Sequence, residues 1–259
     1  MAIEWLAGKR ARGTSSERTG LNSGSATADY TDDFSSSTGW TQVGTWVQIS
    51  GGKVVFSGGS NANNNVNRAI GTTLSNTKWV MRFKYNSGVS DFGYMVLSSG
   101  TANPDSDNTD WIGLYTGDAN NNGYTLAWGD SGGMSIGGWI GSSSLSANTD
   151  YWIQVTRESG TSAKLEVFNN SGYSGTPVGT SSTTSLPSSI TGISNIIFAS
   201  ITEGGASSGY SWEIDDLEVY NDVTSVVSPP NIQDGTIFEE TDTNKAYIWN
   251  ASTTTWSQL

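Results

Sequence analysis

The segment Trp212 to Asn221, WEIDDLEVYN, constrains this chain more than any other. Its apolar residues begin on one alternation, Trp212 and Ile214, and resume on the other, Leu217 and Val219. Side chains of a strand alternate between faces with a period of two, so such a phase change requires an inserted residue, a β-bulge. A bulge at Asp215-Asp216 sends Trp212, Ile214, Leu217 and Val219 to one inward face and turns Glu213 and Glu218 toward solvent. The expected partner is an opening strand over Thr31 to Phe34, TDDF, set beside it at a sheet edge. Residues 31–222 then form one unit.

The residues between these two strands read as β throughout. WVMRFKYN puts Trp79, Met81, Phe83 and Tyr85 on one face and Val80, Arg82 and Lys84 on the other, the alternation of a half-buried strand. YWIQVTR repeats it with Tyr151, Ile153 and Val155, and AKLEVFN follows across a Ser-Gly-Thr turn. FGYMVLS, WIGLY, YTLAW and NIIFASI are apolar with little alternation, as in strands covered on both sides. Separators rich in Ser, Gly, Asn and Asp interrupt any helical stripe. About a dozen strands in one domain predict an all-β fold of two stacked antiparallel sheets.

Charge and composition exclude several functions. The 259 residues hold 24 acidic and 12 basic side chains, a formal net charge of −12, with no Cys and no His. That charge opposes nonspecific nucleic-acid or anionic-membrane binding, and no apolar run is long enough to span a bilayer. Thiolate chemistry, disulfides, His-containing triads and His-ligated zinc are ruled out; Asp, Glu and Ser remain as nucleophiles.

The two ends differ from the middle. Residues 1 to 22 are slightly basic, with Lys9, Arg10, Arg12 and Arg18 against Glu4 and Glu17. No secretion signal is expected there, because Trp5-Leu6-Ala7 is too short an apolar run and precedes the basic residues. Residues 1–30 are expected to be an extended attachment arm in which Trp5, Leu6, Lys9, Arg10, Arg12 and Arg18 contact a neighbouring subunit. Residues 223–232 carry Pro229-Pro230 and read as a linker. Residues 233–259 should form a small hairpin or three-strand module, with TIFEET, a turn at Asp242 to Asn244, AYIWN and TWSQL. Strands this few are marginal alone and need something to pack against.

The strings DDFSSSTGW, YWIQVTRESGTSAKLEVFNN and WEIDDLEVYND resemble the concanavalin A-like or laminin-G-like jelly rolls over about residues 31–222. DGTIFEETDTNKAYIWNASTTTWSQL is similar to a short module of tailed-phage and environmental-virus structural proteins, and EWLAGKRARGTSSERTG resembles the N-terminus of marine virion proteins. These resemblances imply an exposed particle protein: a capsid decoration, fibre or spike on the virion surface. Its partners would be capsid or tail proteins and further copies of itself.

Three kinds of site are candidates. Glu213, Asp215 and Glu218 approach the E-x-D-x-x-E pattern of laminarinase-like glycoside hydrolases, where the resemblance would make Glu213 the nucleophile and Glu218 the acid/base. In that family the motif lies mid-chain with an apolar fourth position. Here Asp216 stands there and the motif closes the domain, so no catalytic residue and no enzyme are expected. Asp105, Asp107, Asn108 and Asp110 offer oxygen ligands of the kind Ca²⁺ accepts, without the glycine and terminal Glu of an EF-hand. The jelly-roll resemblance adds Asp33 and Asp215 as alternative calcium ligands. The loop GDANNNGY supplies Asp118, Asn120, Asn121, Asn122 and Tyr124 for a host-surface glycan, with amides for hydroxyls and an aromatic ring for the sugar face; SGGSNANNNVN is a second amide-rich patch. The expected function is a non-enzymatic virion protein that touches glycans. The alternatives are a carbohydrate-binding adhesion module outside a virion and, third, a hydrolase.

Overall fold

The computed structural model describes residues 4–6, 10–15, 18, 28–58, 64–87, 93–104, 108–117, 123–140, 146–200, 210–226, 235–250 and 255–259. They contain twenty strands. Two come first, β1 (Glu4–Leu6) and β2 (Arg10–Gly13). Next are β3 (Tyr30–Asp32), β4 (Thr41–Val43), β5 (Val47–Ser50), β6 (Lys53–Gly58), β7 (Asn65–Ala69), β8 (Trp79–Ser87), β9 (Gly93–Ser98) and β10 (Trp111–Thr116). Then come β11 (Tyr124–Asp130), β12 (Gly133–Ile136), β13 (Asp150–Arg157), β14 (Ala163–Phe168), β15 (Gly179–Thr183), β16 (Asn195–Ala199) and β17 (Tyr210–Asn221). The last are β18 (Ile237–Glu240), β19 (Ala246–Asn250) and β20 (Thr255–Gln258).

Residues 28–225 form one compact unit. It is a jelly-roll sandwich of two antiparallel sheets. One has the order β12-β11-β10-β9-β16-β7-β4, the other β15-β14-β13-β8-β17-β6-β5, with β3 as an eighth strand against β17. Their inner faces share a core in which Phe83 and Phe34 meet Phe198 edge-on and Tyr85 meets Tyr124. Trp79, Met81, Phe83 and Tyr85 all point into it, as their alternation predicts, and the apolar runs in β9, β10, β11 and β16 are buried on both faces except for the last residue of β11.

β17 carries the predicted bulge. Trp212 to Asp215 pair with Ser87 to Lys84 of β8, and pairing resumes at Glu218 opposite Arg82. Three steps along β17 match two along β8, so one residue is extra. Asp216 takes the strain, with φ of +51°, a left-handed conformation that Asp tolerates better than most residues. Its N–H donates to the Asp215 carboxylate at 2.9 Å. The slip keeps Trp212, Ile214, Leu217 and Val219 in the core, none more than 1% exposed.

The position of β17 differs from the expectation. It is interior: β8 lies on one side, while on the other β6 pairs Tyr210 to Ile214 and β3 pairs Leu217 to Val219. Thus the opening strand does meet the closing one, but the closing strand is central and the bulge falls where its outer neighbour changes. A strand gripped on both sides has every inward side chain fixed by two registers.

The ends also depart from an arm followed by a separate module. Residues 1–27 and 226–259 form one unit, a sheet of order β1-β2-β18-β19-β20 in which β2 runs parallel to β18. Ala11, Phe238 and Trp249 are buried together, with Trp256 packed against them. Arg10 and Arg12 reach Glu239, and Arg18 pairs with the buried Glu240 at 2.6 Å while lying 3.8 Å over the Tyr247 ring. The partner expected from outside is supplied, for these residues, by the chain's own end. Trp5 and Leu6 lie in β1; Lys9 lies outside the described residues.

Deleting Asp216 should push two large side chains out of the core. At roughly 1.5 to 3 kcal/mol each, that removes much of a typical domain's stability, and a melting temperature equal to the parent's would refute the bulge. Burial, then the neighbouring Asp215, Glu218 and Asp33, hold the Asp216 carboxyl above the usual carboxylate range. A raised folded-state pKa means the charged form opposes folding, an opposition that fades as pH falls through the raised value and is gone below the unfolded value of about 4. Asp216→Asn should therefore raise stability at pH 7 by about 0.5 kcal/mol or less, and thermal melts should show that gain vanish in acid.

Candidate functional site

Each sheet turns one face away from the shared core, and the two outer faces differ in chemistry. On the eight-stranded sheet the outer face is charged. Lys53, Lys84, Asn86, Asp150, Glu213 and Asp215 line a small recess. Lys53 bonds Glu213 at 2.6 Å, Lys84 pairs with Asp150 at 2.9 Å, and Asn86 donates to Asp150 at 2.7 Å. Hydrogen bonding from Asn86, reinforced by Lys84 and Lys53, holds the Asp150 carboxyl low, while the Glu213 hydrogen bond raises the Lys53 ammonium. Further along, Glu218 accepts the Tyr220 hydroxyl at 2.7 Å, and Arg82 donates to Gln154 at 2.7 Å and lies 4.3 Å over the Tyr173 ring.

The bulge therefore puts Glu213 and Glu218 on one face, as the sequence indicates. Glu213 is held by a lysine and Glu218 by a phenol. Catalysis on a glycoside needs one carboxyl to act as an acid and the other as a base or nucleophile. The Lys53 ammonium occupies one Glu213 carboxylate oxygen, and the Tyr220 hydroxyl one of Glu218.

On the seven-stranded sheet the outer face is aromatic and uncharged. Tyr94 and Val96 of β9, Trp111 and Tyr115 of β10, Ala127 of β11, and Ile197 and Ala199 of β16 form a second buried cluster, with the partly buried Trp139 against it. The rings run in a row: Trp111 to Tyr94 at 5.3 Å, Tyr94 to Tyr115 at 5.2 Å, Tyr115 to Trp139 at 5.9 Å. Trp111 lies across β11 because Gly129 offers it a side-chain-free patch; a Cβ there would stand 2.1 Å from the indole nitrogen. The Tyr94 hydroxyl reaches the Met134 sulfur at 3.6 Å although β10 and β11 lie between their strands, about 14 Å at the usual spacing. Both side chains therefore lean over the sheet.

Amides border this row. Opposite residues of an antiparallel pair share a face, so Asn65 and Asn67, opposite Ala199 and Ile197, lie on the aromatic face, and Asn67 donates to Asn65 at 2.8 Å. Asn195 joins them from β16. At the far edge β12 leaves Met134 49% and Ile136 38% exposed. The three amides are buried, as are Tyr94, Trp111 and Tyr115, so the accessible part of this face is Trp139 with Met134 and Ile136, an aromatic and apolar surface of the kind that covers the C–H face of a sugar.

Of the sequence-predicted residues, those that are described do not join the aromatic row. Tyr124 is not available to a sugar; it points inward, 5% exposed, against Tyr85, because its parity in β11 is that of Leu126 and Trp128. Asp118, Asn120, Asn121 and Asn122, like Asp105 and Asp107, lie outside the described residues. Of the amide-rich patch, Asn65 and Asn67 do join the face, whereas Asn64 caps a turn by accepting the Thr45 and Trp46 amides. Asn108 is exposed, and Asp110 accepts the Thr191 amide at 3.1 Å. Asp33 accepts the Ser35 amide and Asp215 that of Asp216. Among the described residues no three carboxylates converge to hold a metal ion.

No protein-family model and no curated protein matches the sequence. Solved structures do. A β-glucanase of Bacillus licheniformis is 13% identical with a TM-score of 0.51, over 76% of this chain and 98% of that one. A variant of the GH43 protein BlXynB from the same species is 12% identical with a TM-score of 0.53, over 76% of this chain and 40% of that longer one. The CBM2 module of the evolved Dit of Lactobacillus casei BL23 phage J-1 is 12% identical with a TM-score of 0.49, over 74% and 94%. At these identities the likeness concerns the fold, the concanavalin A-like jelly roll.

Gly129→Ala tests the aromatic face directly. The added methyl must displace the Trp111 indole, an overpacking cost of roughly 1 to 3 kcal/mol. Calorimetry should show that loss together with a shifted tryptophan emission; an unchanged melt and spectrum would mean that Trp111 does not lie on β11.

Proposed function

We propose that this chain is a non-enzymatic glycan-binding protein displayed on a virion, with the seven-stranded outer face as its binding surface. The observation that carries the reading is the accessible end of that face, where the partly buried Trp139 stands with the exposed Met134 and Ile136. Behind it Tyr115, Tyr94 and Trp111 continue the row as a buried backing for the Trp139 ring. An aromatic ring held on an uncharged surface binds the C–H face of a sugar through weak contacts and performs no chemistry on it.

The other outer face supports the absence of catalysis, since Lys53 and Tyr220 engage the two carboxylates a hydrolase would use. The virion setting is supported by the resemblance of both terminal segments to particle proteins. It is also consistent with the terminal sheet: among the described residues β1 and β20 each pair on one side only, leaving backbone edges of the kind that recruit strands from neighbouring subunits. An adhesion module outside a virion would use the same face.

Trp139→Ala should weaken oligosaccharide binding roughly tenfold, about 1.4 kcal/mol, while the melting temperature moves little. The parent chain and Glu213→Gln should both leave β-glucans intact. Cleavage that disappears in Glu213→Gln would make the protein an enzyme, and binding unchanged by Trp139→Ala would remove the aromatic face from the account. Density for the terminal sheet at a subunit contact of an assembled particle would test the setting.

A further inference from the structure

We infer that the glycan bound by the seven-stranded face is neutral, without sialate, uronate, sulfate or phosphate groups. This rests on the glycan-binding reading of that face and specifies its ligand. Recognition of an anionic group draws on Arg or Lys, whose charge offsets the cost of desolvating it. The sandwich has none to give.

Residues 28–225 contain seven basic side chains against eighteen acidic ones, a net charge of −11. Six of the seven arise in or next to strands of the other sheet. Lys53 bonds Glu213, Lys84 pairs with Asp150, and Lys164 lies between Glu158 and Glu166. Arg82 holds Gln154 and covers Tyr173; Lys78, just before β8, pairs with Asp222. Arg157 is fully buried and donates to the carbonyls of Ile190, Gly160 and Ser159.

The seventh, Arg68, is on β7 of the aromatic sheet but has the opposite parity to Asn65 and Asn67. It stands opposite Ile196, a member of the inner core, and bonds Asp32 and the Thr38 carbonyl at 3.0 and 2.9 Å. No strand therefore presents a cation on the aromatic face. The sandwich segments outside the described residues contribute no Lys or Arg in sequence, only Asp91, Asp105, Asp107, Asp118 and Glu203. An anionic sugar would find no cation on this face to offset its desolvation, on a sandwich whose net charge is −11.

The test is a panel of immobilised oligosaccharides in matched pairs: neutral galacto-, gluco- and manno-configured chains, and the same chains bearing one sialate, uronate or sulfate. The full chain is applied at low and high salt. Binding to at least one neutral chain, weakened about tenfold or more by the added anion and indifferent to ionic strength, is the expected result. Preference for the charged member of a pair, with affinity falling as salt rises, would overturn this inference and leave glycan binding standing. Binding to no chain on the panel would count against the glycan-binding reading itself and against this inference with it.

Discussion

The sandwich depends on one residue of surplus length in its most heavily paired strand. β17 is held by β8 along one side and by β6 and then β3 along the other, so both of its halves are in fixed register. Without the extra residue the two registers would conflict, since one of the apolar pairs would face outward. The left-handed Asp216 absorbs the mismatch at the site where β6 gives way to β3. The first described strand of the sandwich thereby pairs with an interior last strand, and on the other half of β17 the core aromatic Trp212 stacks on Phe56 of β6 at 5.4 Å.

The two outer faces of the sandwich differ chemically. On the eight-stranded face Lys53, Lys84 and Lys164 pair with carboxylates and Arg82 bonds Gln154. Once those charges are matched within one face, the other is left with rings, amides and glycines. Its ring row fits against backbone only because Gly129 lacks a side chain. The seven-stranded face is uncharged because its outward strand positions carry aromatic, aliphatic and amide side chains, and the proposed neutral ligand rests on that.

Much of the fold was legible in the sequence because alternation is a local signal. The phase change in WEIDDLEVYN identified the bulge, and WVMRFKYN identified its inward face, without any knowledge of partners. Pairing at long range was not legible. β2 joins β18 in parallel across more than two hundred residues, and nothing in the basic N-terminal segment encodes that choice beyond the small Ala11 that fits against Phe238. The aromatic face was not legible for a related reason. Asn-rich loops attract attention, whereas Tyr94, Trp111 and Tyr115 sit in runs apolar on both faces, where alternation does not say which face is the inter-sheet core. A usable signal was present: Gly113, Gly129 and the rings of β10 share one parity, and glycine beside large aromatics in paired strands marks a face where rings lie flat.

The account stands most directly on which outer face meets the sugar. Indole N–H resonances in a titration with a neutral oligosaccharide report it, since Trp111 and Trp139 belong to one face and Trp152, from β13, to the other sheet. Shifts confined to Trp111 and Trp139 are predicted. Shifts at Trp152 and in the amides around Glu213, with Trp111 and Trp139 unmoved, would contradict it.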